Sequence, residues 1–466
     1  MQKVFDEVGT LDKKCYEQYG LSEDILMEHA ATSLLNFIEN NFDTTTTILI
    51  VAGVGNNGAD GITLSRLLNG KYEVELYLPN TVKSDMGNIQ LQRAELVGVH
   101  IFHEYSKLTK NYNLVVDCLF GSGLTRDLDN QMIELIRQLN SLESYKLACD
   151  IPSGINTYGQ INHVAFKADT TITMGALKTS LFLDEAKDYI GDIIVSNLGV
   201  QRELYENNSD ICLLDIDDLH LPIRESANTH KGNFGHLSVI VGEKQGAGII
   251  CADAAFNLGA GLVSVINHKE HLVPYHIMQS HKIPQNSTAI AIGMGLGNYE
   301  QNEILEILQS SIPKVCDADL FYTKDILKVL FQKNVILTPH PKEFCSLLKV
   351  CEIDDIDVGT LQKYRFKYVE IFCKKYPNVV LLLKGANTIV GQDKKIFINP
   401  LGSSKLSFGG SGDVLAGFIS SLLAQGYTPI DAAIQGTLIH TITARKYEKN
   451  SYSMTPADLI EGVKNI

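Results

Sequence analysis

The chain has 466 residues, of which 45% are apolar and 20% charged, and it contains no tryptophan. This length is sufficient for two domains, each with a full hydrophobic core. The formal charge is −14, from 40 Lys and Arg against 54 Asp and Glu. This acidic balance argues against nucleic acid and against an anionic membrane surface as partners.

Cysteine usage and hydropathy indicate the compartment. The nine cysteines include no C-x-x-C pair, which is typical of reduced, buried thiols in the cytosol. No run of 18 apolar residues occurs, and residues 1–15 lack the apolar core of a signal peptide. We therefore expect a soluble, cytoplasmic protein.

The first half of the chain predicts alternating strands and helices. Ser22 caps the first clear helix, and a buried strand at 48–51 runs into the glycine-rich segment 53–61, before a helix predicted over 62–68. This order opens a nucleotide-binding βαβ unit, although the glycine spacing is not G-x-G-x-x-G. Further strands are predicted at 74–78, 114–118, 146–148 and 169–174, with helices near 88–97 and 132–139.

Three of these strands lead into loops that carry both glycine and aspartate. The aspartates are Asp60, Asp117 and Asp150. Because the carboxyl ends of parallel strands meet at one edge of a sheet, we expect the three carboxylates to form a site there. For the segment around Asp60, the alternative is a turn in which Asn and Gly supply left-handed backbone positions.

A short polar stretch, YENN at 205–208, predicts a boundary between domains 1–209 and 210–466. A second series follows, with strands predicted at 237–241 and 289–292 and a helix at 249–258. It continues through KVCDADL, VILTPHPKEF and VVLLLKGANTIV. Both halves therefore predict α/β domains with mostly parallel strands.

The segment FGGSGDVLAG, at 408–417, is the strongest single indication of chemistry. Its glycines precede an apolar, helix-like run, so free backbone N–H groups at a helix start would suit a phosphate. Asp413 adds a carboxylate that could accept a proton or meet a metal. The alternative is a glycine C-cap with a capping aspartate.

Nine motifs in chain order carry a family resemblance. GNNGADG, DCLFGSGL and DIPSG are followed by HKGNFG, GAGLVSV, GMGLG, TPHPKEF, LLKGANT and GGSGD. With them the chain resembles the bifunctional NAD(P)H-hydrate repair enzymes. The resemblance implies a Rossmann-like, doubly wound NAD(P)HX epimerase domain at 1–209. It also implies a ribokinase-like α/β domain at 210–466, an NAD(P)HX dehydratase that depends on ADP or, as the less favoured choice, ATP.

The implied activity is repair of hydrated NADH and NADPH, whose nicotinamide ring carries an extra hydroxyl at C6. The first domain would be an isomerase that interconverts the R and S forms of NADHX and NADPHX. The second would be a hydro-lyase that returns the S form to NAD(P)H at the expense of a nucleotide. The resemblance implies a potassium ion in the epimerase, magnesium with ADP or ATP in the dehydratase, and a homo-oligomer.

The resemblance also implies site residues. The hydrated nucleotide would contact two loops of the epimerase together with Asp150, the loop residues being Asn56, Asn57, Gly58, Ala59 and Asp60, then Gly121, Ser122, Gly123, Leu124, Thr125, Arg126 and Asp127. Potassium would lie on Asn57, Asp117 and Ser153, whose oxygens suit a hard cation with little charge. Dehydratase substrate contacts would be Ala260, Gly295, His340 and Asp413. The adenine nucleotide would lie on Lys384, Gly385, Ala386, Asn387, Thr388 and Gly412.

A mechanism follows for each domain. Hydroxide leaves poorly, so coupling to a nucleotide suggests phosphorylation of the C6 hydroxyl, with Asp413 as base and the 409–412 N–H groups as anion hole. Lys384 ends an apolar strand, where an ammonium without a partner would be costly, which favours a phosphate partner. His340, in a Pro-flanked turn, either meets the nicotinamide or hydrogen-bonds backbone. In the epimerase, Asp150 would exchange a proton as C6 inverts.

Three residues depart from the family pattern. Ala59 replaces a usual glycine and could narrow its loop, while Lys405 and Phe408 replace small or hydroxyl residues. For Lys405, solvation is favoured over contact with a phosphate.

Two other functions compete with repair. A ribokinase-like kinase for a vitamin precursor would share the G-x-G-D segment but would leave Asp60, Asp117 and Asp150 without chemistry. A nucleotide-binding scaffold would not require the intact carboxylates.

Overall fold

The computed structural model describes residues 1–104, 111–269 and 272–466. They form two compact units. The N-terminal unit is Lys3–Ser209, and the C-terminal unit is Asp210–Ile466 with Met1 and Gln2. Each unit has hydrophobic core clusters of its own. Within the described ranges, no helix combines the length and apolar character required to cross a bilayer.

The N-terminal part of the chain alternates strands and helices. Its described elements are β1 (Gln2–Phe5), α1 (Gly9–Tyr19), α2 (Glu23–Asn41), β2 (Thr47–Ala52), α3 (Asn56–Leu68), β3 (Glu73–Tyr77), α4 (Asp85–Leu96), β4 (His100–Phe102), β5 (Leu114–Cys118), α5 (Asn130–Ser141), β6 (Tyr145–Cys149), β7 (Thr170–Met174), β8 (Leu177–Lys178), α6 (Lys187–Ile190), β9 (Asp192–Ser196) and α7 (Arg202–Tyr205).

Seven of these strands form one parallel sheet in the order β4-β3-β2-β5-β6-β7-β9. The chain runs outward from β2 to β4, returns to β5 beside β2, and then runs outward to β9. The strand order therefore reverses between β2 and β5. Open α/β sheets bind ligands in the crevice at such a point, outside the carboxyl ends of the strands. This topology confirms the predicted doubly wound sheet.

The start of α3 differs from the prediction. The helix begins at Asn56 rather than near residue 62, so most of the glycine-rich segment is helical. Gly58 allows this because a Cβ there would lie 2.0 Å from the carbonyl oxygen of Gly53. The glycines thus serve close packing of the helix on the strand end, which a pattern of turn residues does not reveal.

The C-terminal unit contains the remaining elements. They are β10 (Ile211–Leu213), β11 (His236–Ile240), α8 (Gln245–Asn257), β12 (Leu262–Ile266), β13 (Met278–Ser280), β14 (Ala289–Ile292), α9 (Gln301–Gln309), β15 (Lys314–Cys316), β16 (Val335–Leu337), α10 (Pro341–Val350), α11 (Val358–Lys363), α12 (Arg365–Lys375), β17 (Val380–Leu383), β18 (Thr388–Gln392), β19 (Lys395–Asn399), α13 (Ser411–Ala424), α14 (Pro429–Arg445) and α15 (Pro456–Gly462).

The strands of this unit follow the order β13-β12-β11-β14-β15-β16-β17-β18-β19-β10. The pairs from β13 to β17 are parallel, whereas β18 is antiparallel to both of its neighbours. Here the order reverses between β11 and β14. The α/β class with mostly parallel strands is confirmed for this unit as well.

Helix α13 is the buried centre of the C-terminal unit. It packs against α8 and α14, and nearly every side chain from Val414 to Ala424 is buried. A helix that is apolar on all faces belongs inside a core. Its first turn, which holds Gly412 and Asp413, is less buried. The helix therefore holds one polar end at the edge of a rigid core.

Candidate active sites

A cavity of about 530 Å³ opens at the strand reversal of the N-terminal unit. It is lined by the loop after β2 with the start of α3, and by the loop after β5. Residues at α1, at the end of β7 and after β6 and β9 complete the lining. The lining residues are Val8, Asp12, Val54, Gly55, Asn56, Asn57, Asp60, Leu119, Phe120, Gly121, Ser122, Gly123, Leu124, Thr125, Arg126, Asp150, Met174 and Leu198. Most of the predicted epimerase contacts are therefore brought together.

Asp150 lies in this cavity in an ion pair with Lys178, at 2.7 Å between Oδ1 and Nζ. Its carboxylate also accepts hydrogen bonds from the backbone N–H groups of Ser122 (3.0 Å) and Met174 (3.2 Å). Burial alone would raise the pKa of Asp150, but the adjacent Lys178 and these hydrogen bonds hold it below its usual value. These surroundings do not support the predicted proton exchange by Asp150, because the ionised form is the stabilised one.

Lys178 is almost completely buried and has no remaining donor. Its ammonium group contacts Asp150, the hydroxyl of Thr173 (2.9 Å) and the carbonyl oxygens of Met174 (3.0 Å) and Ala176 (3.3 Å). The sequence analysis missed this residue. The available signal was a lysine as the one charged residue of the run GALKTSLF, since a buried ammonium requires an anionic partner.

Two further carboxylates, Asp60 and Asp12, line the same cavity. Asp60 has no hydrogen-bond or cation partner in the described part of the chain, whereas Asp12 accepts a hydrogen bond from the hydroxyl of Tyr205 at 2.7 Å. Burial raises the pKa of Asp60 well above its usual value, and the charges of Asp150, Asp12 and Glu23 add to this. Burial also raises the pKa of Asp12, which the sequence analysis did not single out.

Asn57 is the unusual polar group of the cavity. Its amide oxygen and nitrogen are both shielded from solvent, yet neither has a hydrogen-bond partner among the described residues. Gly121 lies against it, since a Cβ there would be 3.2 Å from the Asn57 oxygen and 2.8 Å from Asp150 Oδ2. An unpaired buried amide is costly, so this position is suited to a ligand.

Asp117 and Ser153 lie beneath the cavity rather than in its wall, because both are fully buried and neither belongs to the lining. The Asp117 carboxylate accepts hydrogen bonds from Ser153 N (2.8 Å), Ser153 Oγ (2.7 Å) and Leu119 N (3.1 Å). Burial raises the pKa of Asp117 to about 6, while the hydrogen bonds from Ser153 oppose this shift. The pair joins the loops that follow β5 and β6.

Three other predicted contacts also lie outside the cavity lining. Gly58 and Ala59 are buried in α3, with Ala59 facing α4, where its Cβ would be 3.7 Å from a Cβ on Gly87. The expectation that Ala59 narrows the loop is therefore wrong. Asp127 lines a smaller neighbouring cavity, which shares four lining residues with the main one: Val54, Leu119, Phe120 and Arg126.

The C-terminal unit brings charged groups together at the carboxyl edge of its sheet. Lys384 follows β17 and pairs with Asp317, which follows β15, at 2.8 Å. Lys384 is thus not an ammonium without a protein partner, and the argument for a phosphate from its isolation is wrong. The pair lies beside Gly412, since a Cβ there would be 3.4 Å from the Lys384 ammonium. Asp317 was missed by the sequence analysis.

Asp413 lies in the first turn of α13, beside this pair. Burial raises the pKa of Asp413 to about 6, the charges of Asp317 and Glu343 raise it further, and the charge of Lys384 opposes them. Within the described residues, the backbone N–H groups of Gly412 and Asp413 donate no hydrogen bond. The helix start therefore offers free donors next to a carboxylate whose pKa suits a base near neutrality.

His340 caps helix α10. Its Nδ1 accepts a hydrogen bond from Glu343 N (3.2 Å), and its Nε2 lies 3.1 Å from Glu343 Oε1. A neutral ring that accepts at Nδ1 carries its proton on Nε2, which can donate to this carboxylate. Burial would raise the pKa of Glu343, but the hydrogen bonds with His340 and the charge of Lys384 hold it below its usual value. His340 thus makes the backbone hydrogen bond of the second alternative, and its contact with the nicotinamide stays a prediction.

Ala260 does not lie with the other residues predicted to contact the dehydratase substrate. Ala260 precedes β12, at the amino edge of the sheet, as the parallel pairing of His236 with Leu262 shows. Gln425, which follows the last residue of α13, donates a hydrogen bond to Leu258 there. A 14-residue helix is about 21 Å long, so Asp413 lies at the opposite edge. Gly295, by contrast, lies in the segment that follows β14, next to the strand reversal between β11 and β14.

The alanine beside Gly295 is Ala247, since its Cβ would be 3.5 Å from a Cβ on Gly295. Lys244 donates a backbone hydrogen bond to the Gly295 carbonyl oxygen (3.0 Å). The start of α8 therefore supplies the neighbours of Gly295.

The ammonium group of Lys405 has protein partners, so the prediction that it is solvated is wrong. Its ammonium donates to the carbonyl oxygens of Arg445 (3.2 Å) and Tyr447 (2.6 Å), at the end of α14. A cation at the C-terminus of a helix is stabilising. Phe408 packs against the core of the unit. Both departures from the family pattern therefore have packing or capping roles.

The remaining predicted nucleotide contacts occupy the turn between β17 and β18. Gly385 and Ala386 are exposed, Asn387 and Thr388 are buried, and the Thr388 hydroxyl bonds the Gly385 carbonyl oxygen (3.3 Å). Gly402 packs on this turn, because a Cβ there would lie 2.2 Å from the Ala386 oxygen. Gly385 and Ala386 are thus exposed directly after Lys384, and the two residues that follow them are buried.

Both units are α/β domains with a candidate site each: a carboxylate-lined cavity in one, and in the other a helix start with free N–H groups beside a lysine and two aspartates. Comparison with known proteins agrees with this class. A family described as "YjeF-related protein N-terminus" matches residues 23–180, and one described as "NAD(P)H-hydrate dehydratase" matches residues 237–465.

Similar proteins match over the full length. The "Bifunctional NAD(P)H-hydrate repair enzyme Nnr" of Helicobacter pylori is 42% identical, covering 100% of both chains. The protein of the same name from Dictyoglomus turgidum is 32% identical over 98% of this chain and 96% of its own. A Bacillus subtilis ADP/ATP-dependent NAD(P)H-hydrate dehydratase, co-crystallised with ATP and Mg²⁺, aligns with a TM-score of 0.43 and 23% identity over 52% of this chain and 92% of its own. The chain belongs to the family of bifunctional NAD(P)H-hydrate repair enzymes.

Proposed function

We propose that the N-terminal unit interconverts the R and S forms of NADHX and NADPHX, and that the C-terminal unit dehydrates the S form to NAD(P)H at the expense of ADP or ATP. The observation that carries this proposal is the pairing of two different sites in one chain. One is a cavity with three carboxylates. The other combines a base, a lysine and free helix N–H groups. The first suits proton transfer and the second suits phosphoryl transfer.

In the N-terminal unit, the hydrated nicotinamide ring occupies the cavity between the loops after β2 and β5. The Asn57 amide, which has no hydrogen-bond partner among the described residues, can bond the ligand, and residues 121–126 form one wall of the cavity. Asp150 stays ionised through Lys178, so it accepts hydrogen bonds rather than carrying the proton. Asp60 and Asp12 face the ligand without a cation partner in the part of the chain that the structure describes.

In the C-terminal unit, Asp413 removes the proton of the C6 hydroxyl, which then attacks the terminal phosphoryl group of the nucleotide. The N–H groups of Gly412 and Asp413 and the ammonium of Lys384 stabilise the charge on the transferred group. The bond between the terminal phosphoryl group and the rest of the nucleotide breaks as the bond to the C6 oxygen forms. Phosphate then leaves C6 as the N1 lone pair forms an N1=C6 iminium, and loss of a proton from C5 to water gives the C5=C6 bond of NAD(P)H. His340 positions Glu343 beside this centre, and the exposed turn residues Gly385 and Ala386 face the adenine nucleotide.

Potassium is the cofactor expected in the epimerase. Asn57 has an oxygen without a partner, while Asp117 and Ser153 each keep a lone pair beyond their hydrogen bonds. A single carboxylate among neutral oxygens suits a monovalent ion better than calcium or magnesium. These residues would hold the ion, which would offset pyrophosphate charge. Rubidium soaked into crystals of the full chain should give an anomalous peak beside Asp117. The absence of such a peak would contradict the proposed potassium site.

Magnesium would enter with the nucleotide. The ion usually binds through one or two carboxylates and the phosphates of the substrate. Consistent with this, the described residues contain no cluster of three or more His, Cys, Asp or Glu side chains that could hold a metal. Asp317 and Asp413 are the carboxylates within reach of a nucleotide on Lys384.

The compartment and the assembly complete the proposal. All nine cysteines are unpaired, which supports a reducing cytoplasm as the place of action. We also propose a homo-oligomer, which sedimentation of the purified protein would test.

The decisive experiment supplies the full chain with hydrated NADH and ADP or ATP. We expect the absorbance of reduced nicotinamide to return, and the R form to be consumed as well as the S form. Consumption of the S form alone would contradict the epimerase assignment. No recovery with either nucleotide would contradict the dehydratase assignment, and phosphorylation of a vitamin precursor would replace it with a kinase.

A further inference from the structure

The three carboxylates of the N-terminal cavity are not equivalent. Asp150 forms an ion pair with Lys178, which keeps its carboxylate ionised, and it accepts two backbone hydrogen bonds. Asp12 accepts a hydrogen bond from Tyr205. Asp60, half-buried on the first turns of α3, has neither a hydrogen bond nor a cation within the described residues, and it faces the cavity. It is therefore the carboxylate free to meet a ligand.

The surroundings of Asp60 favour its neutral form. Asp150, Asp12 and Glu23 act on it from neighbouring elements, and all three carry the same sign of charge. The pKa of Asp60 is raised, first by burial and then by these charges. Arg126 also lines the cavity, while the charge of Lys178 is taken up by Asp150. Environments that push the pKa values of two adjacent carboxyls apart commonly separate an acid from a charge-stabilising group.

We propose that Asp60 is the catalytic acid of the epimerisation, with Asp150 remaining ionised beside it. This assignment rests on the proposed function of the N-terminal unit. The neutral Asp60 carboxyl donates its proton to the C6 hydroxyl of the substrate. The C6–O bond breaks, water leaves, and the lone pair of N1 forms the N1=C6 iminium.

The second half of the cycle reverses these events on the other face of the ring. A water molecule adds to C6, the N1=C6 double bond returns its electron pair to N1, and the proton released by the water returns to the Asp60 carboxylate. The ionised Asp150 stabilises the cationic iminium between the two events. Atoms and charge balance, and the only co-reactant is water.

The test follows interconversion of chromatographically separated R and S forms by the full chain, without any nucleotide. We expect Asp60→Asn to lower kcat by roughly 10²–10⁴-fold, as loss of a general acid does, with little change in KM. Asp60→Glu should restore part of the rate. Asp85→Asn, which changes an exposed aspartate in the first turn of α4, is the matched control and should match the unmodified protein.

The pH profile separates a catalytic role from a structural one. The acid must be protonated, so kcat of the unmodified protein should be constant at low pH and fall as pH rises through the raised pKa of Asp60. Asp60→Asn should lose this descending limb. If kcat of Asp60→Asn lies within a few-fold of that of the unmodified protein, or if its pH profile keeps the descending limb, Asp60 is not the catalytic acid. Either result would leave the proposed epimerase function standing. No interconversion by the unmodified protein would overturn the epimerase function as well.

Discussion

Each unit holds a lysine–aspartate pair next to a carboxyl of raised pKa, but the two pairs differ in what they leave free. Lys178 and Asp150 have side-chain exposures of 2% and 10%, and every proton of the ammonium has a protein acceptor. Lys384 is 19% exposed, and Asp317 is its partner at 2.8 Å. The first lysine is committed to the protein, whereas the second keeps donors for a ligand.

This difference matches the chemistry of the two sites. Epimerisation moves a proton and water, so its lysine has only to hold a carboxylate in the ionised state. Phosphoryl transfer moves negative charge, so its lysine must reach the phosphate, together with the free N–H groups of α13. The same pair of residue types is therefore buried and fully paired in one unit and partly exposed in the other, where we propose that it binds the nucleotide.

The largest expected effect is at Asp413. Asp413→Asn removes the base but keeps the shape of the helix start, so we expect nucleotide binding to persist while dehydration falls by roughly 10²–10⁴-fold. Recovery of reduced nicotinamide from the S form measures the rate. Asp355→Asn, at an exposed carboxylate of the same unit, is the control. Near-normal turnover of the Asp413 variant would remove its role as base.

Removing Lys178 from its ion pair with Asp150 should destabilise the N-terminal unit. Lys178→Met leaves the Asp150 charge buried, which costs about 3–5 kcal/mol when one partner of a buried pair is removed. Urea unfolding of the full chain measures this loss. Adding Asp150→Asn to the same chain should recover part of the stability. Lys71→Met is the matched control, because Lys71 and Glu39 are 2.7 Å apart on the surface and exposed pairs contribute little. Equal effects of the two Met variants would contradict the comparison.

The charges of Lys384 and Asp317 should shift the pH at which dehydration is lost. A base must be ionised, so kcat/KM should fall as pH falls through the pKa of Asp413, which is about 6. The charge of Asp317 raises this pKa and that of Lys384 lowers it. Asp317→Asn should therefore move the limb to lower pH, and Lys384→Met should move it to higher pH. Shifts in the same direction would show that the pair does not act through charge.

The smallest expected effect is at Lys405. Because its ammonium meets the carbonyl oxygens at the end of α14, Lys405→Met should lower the free energy of unfolding by about 0.3–1 kcal/mol. The KM for the nucleotide should not change. Thermal unfolding and nucleotide titration of one preparation measure both quantities. A raised KM with unchanged stability would instead assign Lys405 to the phosphate.

Local pattern was sufficient for most elements and for the central site residue. The predicted strands at 114–118 and 289–292 coincide with β5 and β14, because short apolar runs bounded by polar residues are buried strands in an α/β sheet. Asp413 was placed at a helix start from the glycines before it, and α13 does begin at Ser411. Such features depend on residues only a few positions apart.

The partners of the site residues depended on the tertiary structure. Lys178 lies 28 residues from Asp150, and Lys384 lies 67 residues from Asp317, so no local pattern joins them. The motif of Ala260 does not reveal which edge of the sheet this residue occupies; the direction of β12 decides that. The sequence by itself determined the elements, the family and the candidate carboxylates. Strand order and direction decided which carboxylate met a cation, because charges interact strongly only where the fold brings them within a few ångströms in a buried place.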